Sequence, residues 1–145
     1  MIGFLHRKKE NENISAEGRD GLIDMMAASL IGLGKDYGLG NSNDKSYDEN
    51  GRCTVKLAKE PGKEINYMGL IRSFQSCGVV NRIPDYGFPC DKVGKGVSLE
   101  IDGNNPVIVI EPDASASIMK KITKSSANFF AVGQIMNQGI YGNLR

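Results

Sequence analysis

Histidine, tryptophan and cysteine are the scarce residues of this 145-residue chain: one His, no Trp and three Cys. The one histidine, His6, lies in the stretch MIGFLHRKKENENI, which has neither a hydrophobic period nor turn chemistry. A Ser-His-Asp or Cys-His device there would lack an anchored base, so no catalytic residues are assigned. The cysteines, Cys53, Cys77 and Cys90, show no Cys-x-x-Cys spacing, which excludes an all-cysteine four-ligand zinc site from one chain. No metal site and no cofactor are expected. Buried free thiols are one reading of the cysteines; a Cys77 to Cys90 disulfide around a loop, implying an oxidising compartment, is the other.

Long apolar runs are also lacking. Near the start, residues 25–34 are the longest uncharged run, about half of the ~20 apolar residues a membrane-spanning helix needs, so no integral membrane segment is expected. The short apolar start precedes the basic residues rather than following them, which is the reverse of a secretory signal. An excess of charge is missing too: 18 Lys and Arg face 17 Asp and Glu, spread evenly along the chain. No field draws in nucleic acid or anionic lipid, and a nucleic-acid partner is not expected.

What is present reads as one domain over residues 15–145 behind a flexible arm at 1–14. Residues 15–33 predict a helix capped by Ser15 or Asp20, with Ile23, Met26, Leu30 and Leu33 on one face and Leu22 and Met25 widening it. A helix apolar over so much of its girth must be covered on most sides, by its own domain or by a neighbouring subunit. The Asn, Asp, Ser and Gly residues that follow, to Gly51, predict a long surface loop. Cys53-Thr54-Val55-Lys56-Leu57 alternates as a strand, and Tyr67, Leu70, Ile71 and Phe74 mark an amphipathic helix ended by Gly78. Alternation at 97–101, turn residues at 102–105 and a β-branched run at 107–110 predict an antiparallel hairpin. After Pro112, capped by Asp113 or Ser115, a third helix turns Ile118, Met119 and Ile122 inward and Lys120, Lys121 and Lys124 outward. Residues 128–137 are apolar without a clear period. The resulting fold class is α+β, a mainly antiparallel sheet of three to five strands on two or three helices.

Three stretches invite sharper readings. Gly32, Gly34 and Gly38 look like a dinucleotide loop, but they close a helix and their spacing is one residue too long. Residues 93–98 hold glycines and Lys95 without the Lys-Ser or Lys-Thr pair of a phosphate loop. Asp44, Ser46, Asp48, Glu49 and Asn50 supply oxygens, yet Glu49 stands where an EF-hand loop needs glycine. Helix end, strand entry and solvated turn account for them.

Taken in order, the elements resemble the globular part of a type IVb pilin or pilin-like subunit. The helix Gly21-Leu22-Ile23-Asp24-Met25-Met26-Ala27, ending near Tyr37-Gly38, is similar to the end of a pilin's long helix. Leu70-Ile71 through Gly78-Val79-Val80 and Ile83-Pro84 resembles the second helix and its exit, and the hairpin with the helix from Ser117 to Ile122 resembles the sheet and late helix. The apolar stem, the processing leader and the late cysteine pair of that family have no counterpart in these 145 residues. The resemblance implies a subunit of a bacterial surface filament or secretion apparatus and favours the Cys77 to Cys90 bridge.

The functional expectation is a non-enzymatic assembly subunit whose partner is a protein or a second copy of itself. Its interface residues would be Leu22, Met25, Met26, Leu30, Leu33, Tyr86 and Phe88. A bridged Cys77 to Cys90 would place the chain outside the cytoplasm or in the periplasm, and free thiols in the cytoplasm. One alternative is a small ligand-binding domain or enzyme with a Lys, Tyr and Asp site around Asp85, Tyr86, Lys92 and Lys95. Another is a cytosolic secretion chaperone or adaptor.

Overall fold

The computed structural model describes residues 15–84 and 96–142, with the side chains of the last helix described as far as position 129. The expected arm at 1–14 lies outside the described residues. Helix α1 (Ala16–Gly34) begins at Ser15, whose hydroxyl accepts the Gly18 amide at 3.0 Å, and Glu17 sits at the positive end of the helix dipole. It leaves through a single 3-10 turn (Lys35–Tyr37) into Gly38, which has φ of 101°. Glycine is required there twice over. The left-handed backbone disfavours any side chain, and a Cβ would collide with the Glu64 carbonyl. The close approach is used, because the Glu60 amide donates to the Gly38 carbonyl and the Asn66 amide to the Tyr37 carbonyl, both at 2.8 Å.

Strand β1 (Leu39–Tyr47) then pairs antiparallel with β2 (Cys53–Lys59). The expectation of a loop to Gly51 is corrected here: nine of those residues are strand, and only the turn after them is loop. The Asp48 carboxylate shapes that turn by accepting the Asn50 and Arg52 amides at 2.8 and 2.9 Å. Local preference favoured turns, but cross-strand pairing with β2 overrides it.

Helix α2 (Tyr67–Ser76) is capped by Asn66 and buries Leu70, Ile71 and Phe74. It ends in a Schellman motif, with the Val79 amide donating to the Phe74 carbonyl and the Gly78 amide to that of Gln75. A two-residue strand, β3 (Val80–Asn81), lies parallel to β4 (Val97–Asp102), which turns through Gly103 into β5 (Asn105–Ile110). The sheet order is β1-β2-β5-β4-β3, so the expected hairpin is present and its second strand is the central one. Helix α3 (Ala116–Gly142) follows, with the Ser115 hydroxyl accepting the Ile118 amide at 3.1 Å. At 27 residues it spans ~40 Å, and it absorbs the stretch whose period the sequence left open.

The protein is thus an α+β fold with a mixed five-stranded sheet and three α-helices among the described residues. Its core joins Ile23, Met26 and Leu30 of α1, Leu70 and Phe74 of α2, and Met119 and Ile122 of α3 to the inward residues of β2, β4 and β5. The opposite sheet face carries Val107 and Val109, both buried. Nearby, Arg52 pairs with Glu100 at 3.3 Å and with Glu111 at 3.2 Å. Among the described residues no helix is long and apolar enough to cross a membrane.

Candidate functional site

The seam between α1 and α3 is fixed by polar contacts at two levels. The Arg19 guanidinium donates to the carbonyls of Ala114 (2.6 Å) and Glu111 (2.8 Å), capturing the segment that leads into α3. Ten residues further along α1, the buried Ser126 hydroxyl donates to the Ser29 hydroxyl at 2.9 Å. Residue 19 faces residue 114 and residue 29 faces residue 126, so the two helices run in the same direction. From that contact α1 has five more residues, to Gly34, whereas α3 has sixteen, to Gly142. The last eleven or so residues of α3, ~16 Å of helix, therefore extend beyond the end of α1.

The overhang coincides with a change in the sequence. Residues 125–144 contain no Asp, Glu, Lys or Arg. At 3.6 residues per turn, positions Phe129, Gly133, Met136 and Ile140 share the helix face that carries Ile122 and Ser126. The face that packs inward along the first half of α3 thus stays apolar past the point where α1 stops. Phe129 is already 49% exposed.

The interface residues expected from sequence divide sharply. Met26 and Leu30 are fully buried in the protein's own core, and Leu22 and Leu33 are partly buried against it. Met25 is 60% exposed. Tyr86 and Phe88 lie outside the described residues, as do Asp85, Lys92, Lys95 and Cys90. Cys77 is a buried free thiol at the end of α2, and Cys53 is another in β2. Burial pushes both thiols above their ordinary pKa. Lys120, Lys121 and Lys124 form the exposed side of α3, as expected.

Two further clusters deserve a chemical reading. Between α1 and β1, the Lys45 ammonium lies 2.6 Å from carboxylate oxygens of both Asp20 and Asp24, and the Tyr47 hydroxyl donates to Asp20. The Lys45 hydrogen bond, then that of Tyr47, holds the Asp20 carboxyl below its ordinary value. The hydrogen bonds that Lys45 donates to Asp20 and Asp24 hold its own pKa above the ordinary value, while burial and then the bond to Asp20 raise that of Tyr47. These groups are satisfied by one another, so the cluster fastens the edge strand to α1 rather than preparing a proton transfer. The oxygen-rich stretch from Asp44 to Asn50 is divided between β1 and its turn. Among the described residues no group of three His, Cys, Asp or Glu side chains could hold a metal ion.

The second is a cavity of about 250 Å³ between the first half of α3, the turn after α2 and the start of β4. Cys77, Val80, Val97, Ile118 and Ile122 make its apolar wall, and Arg82, Glu111 and Lys121 stand at its rim. Sequence reasoning missed it because its wall is drawn from four separate stretches of chain. Neither a protein-family model, nor a curated protein, nor a solved structure matches the chain.

Proposed function

We propose that this protein is a non-catalytic assembly subunit that associates with further copies of itself through the second half of α3. The overhang of that helix beyond α1 carries the reading, because its uncharged end continues the apolar face of the first half past the point where α1 stops. A second copy is a suitable occupant. Two such faces meet without like charges opposed and without burying an unpaired ion.

In its most concrete form the subunit is pilin-like and belongs to a bacterial surface filament or secretion apparatus. What supports this form is the placement of the first helix, which lies along the sheet ahead of every strand in the chain. A filament needs a head-to-tail contact that does not close, whereas a two-fold contact stops at a dimer.

Light scattering of the full chain over a concentration series tests the proposal. The mass is expected to rise with concentration, and Met136→Glu or Ile140→Glu to return it to that of a monomer. Growth without a ceiling supports the filament form, and arrest at a dimer rejects it. A strictly monomeric protein at every concentration overturns the assembly reading altogether.

A further inference from the structure

The cavity beneath the first half of α3 is of a size for a small ligand. About 250 Å³ corresponds to roughly eight waters, at ~30 Å³ each, or a ligand of similar heavy-atom count. Its lining is almost wholly apolar, so water inside finds few partners, and a short hydrocarbon chain is the natural replacement.

The rim selects the head group. Lys121 is exposed and has no ion-pair partner among the described residues. Among the described residues the one carboxylate in the lining, that of Glu111, is already engaged by Arg52 at 3.2 Å. Among the described residues, the uncompensated charge beside the apolar throat is therefore that of the Lys121 ammonium.

We propose that this cavity binds a short single-chain amphiphilic anion, its chain against Val80, Ile118 and Ile122 and its head group at Lys121. The site is separate from the overhanging end of α3, so it stands whether or not the chain self-associates.

Calorimetric titration of the full chain with butanoate, hexanoate and octanoate tests it, with octanol, octylamine and octyl sulfate as comparisons. Saturable binding of one ligand per chain is expected, strengthening about fourfold per added methylene until the throat is full. Lys121→Glu weakens octanoate about tenfold and leaves octanol nearly unchanged. Val80→Phe and Ile118→Phe, at half-buried wall positions, abolish binding while the melting temperature of each reports whether it remains folded. Tighter binding of octyl sulfate than octanoate assigns the head group as a sulfate-like or phosphate-like anion within the same proposal. Absence of saturable octanoate and octyl sulfate binding, equal binding of octylamine, or undiminished binding in both filled variants overturns it.

Discussion

The two halves of α3 share one backbone and one apolar face, yet only the first runs beside α1. In the first half, Met119 and Ile122 are sealed into the core, and Ser126 sits against Ser29 of α1. In the second half the same face continues through Phe129, Gly133, Met136 and Ile140 after α1 has ended. The pattern of a helix states which side seeks cover; only the lengths of its neighbours decide where cover runs out.

The most forceful way to break the comparison is to make the same substitution in both halves. Met119→Ala should cost about 2–5 kcal/mol in chemical denaturation, the usual range for emptying a sealed core position. Met136→Ala should leave the stability of dilute protein nearly unchanged and instead lower the mass seen at high concentration. Equal losses from both would show that the second half is already covered by its own chain.

Arg19→Ala should come next. It leaves the Ala114 and Glu111 carbonyls without their cationic donor, at a cost of about 1–3 kcal/mol, and loosens the entry to the first half of α3. Ser126→Ala should cost about 1 kcal/mol, because it removes the hydroxyl bond that joins the two helices at Ser29. Hydrogen exchange sharpens both: amides of the first half should exchange far more slowly than those of the second in dilute solution, with the gap narrowing as concentration rises.

The smallest effect lies at the attachment of α1 to β1. The folded Asp20 carboxyl is held below its unfolded value, so its contribution is present above the unfolded pKa and disappears as pH falls through the lowered folded one. A slight loss of melting temperature on acidification below pH 4 should therefore be smaller in Asp20→Asn than in the parent chain. Because the group is open to water, the difference is that of a screened surface pair.

The parts of the fold legible in the sequence were those whose local pattern and final environment agree. Tyr67, Leu70, Ile71 and Phe74 repeat at helical spacing and do face the core or pack against it. The alternation at 97–101 survives as β4. Strand β1 was illegible because an edge strand needs few apolar residues: its inward positions include Asn43, Lys45 and Tyr47, and two of those three are held by an ion cluster and a hydroxyl bond instead of hydrophobic burial. Strand β3 is two residues long and owes its existence to a distant partner. In α1 the breadth of the apolar face was readable, but the identity of its cover was not, since α3, the sheet and α2 each take a share. The candidate surface at the end of α3 was visible as an apolar stretch and became meaningful only once the end of α1 gave it a length.

The register break between Leu39 and Asn43 has a consequence for how this molecule can grow. An unbroken polar edge would invite strands from other chains to add sideways, as in fibrils. Here the outer ladder is kinked at one end and anchored at the other by Lys45 and Tyr47 against α1, while the opposite margin of the sheet is a two-residue strand. Among the described residues, both flanks of the sheet are therefore poor templates for lateral extension. An assembly of the kind proposed would take its direction from a helix, and its order would be that of packed side chains rather than of shared backbone hydrogen bonds.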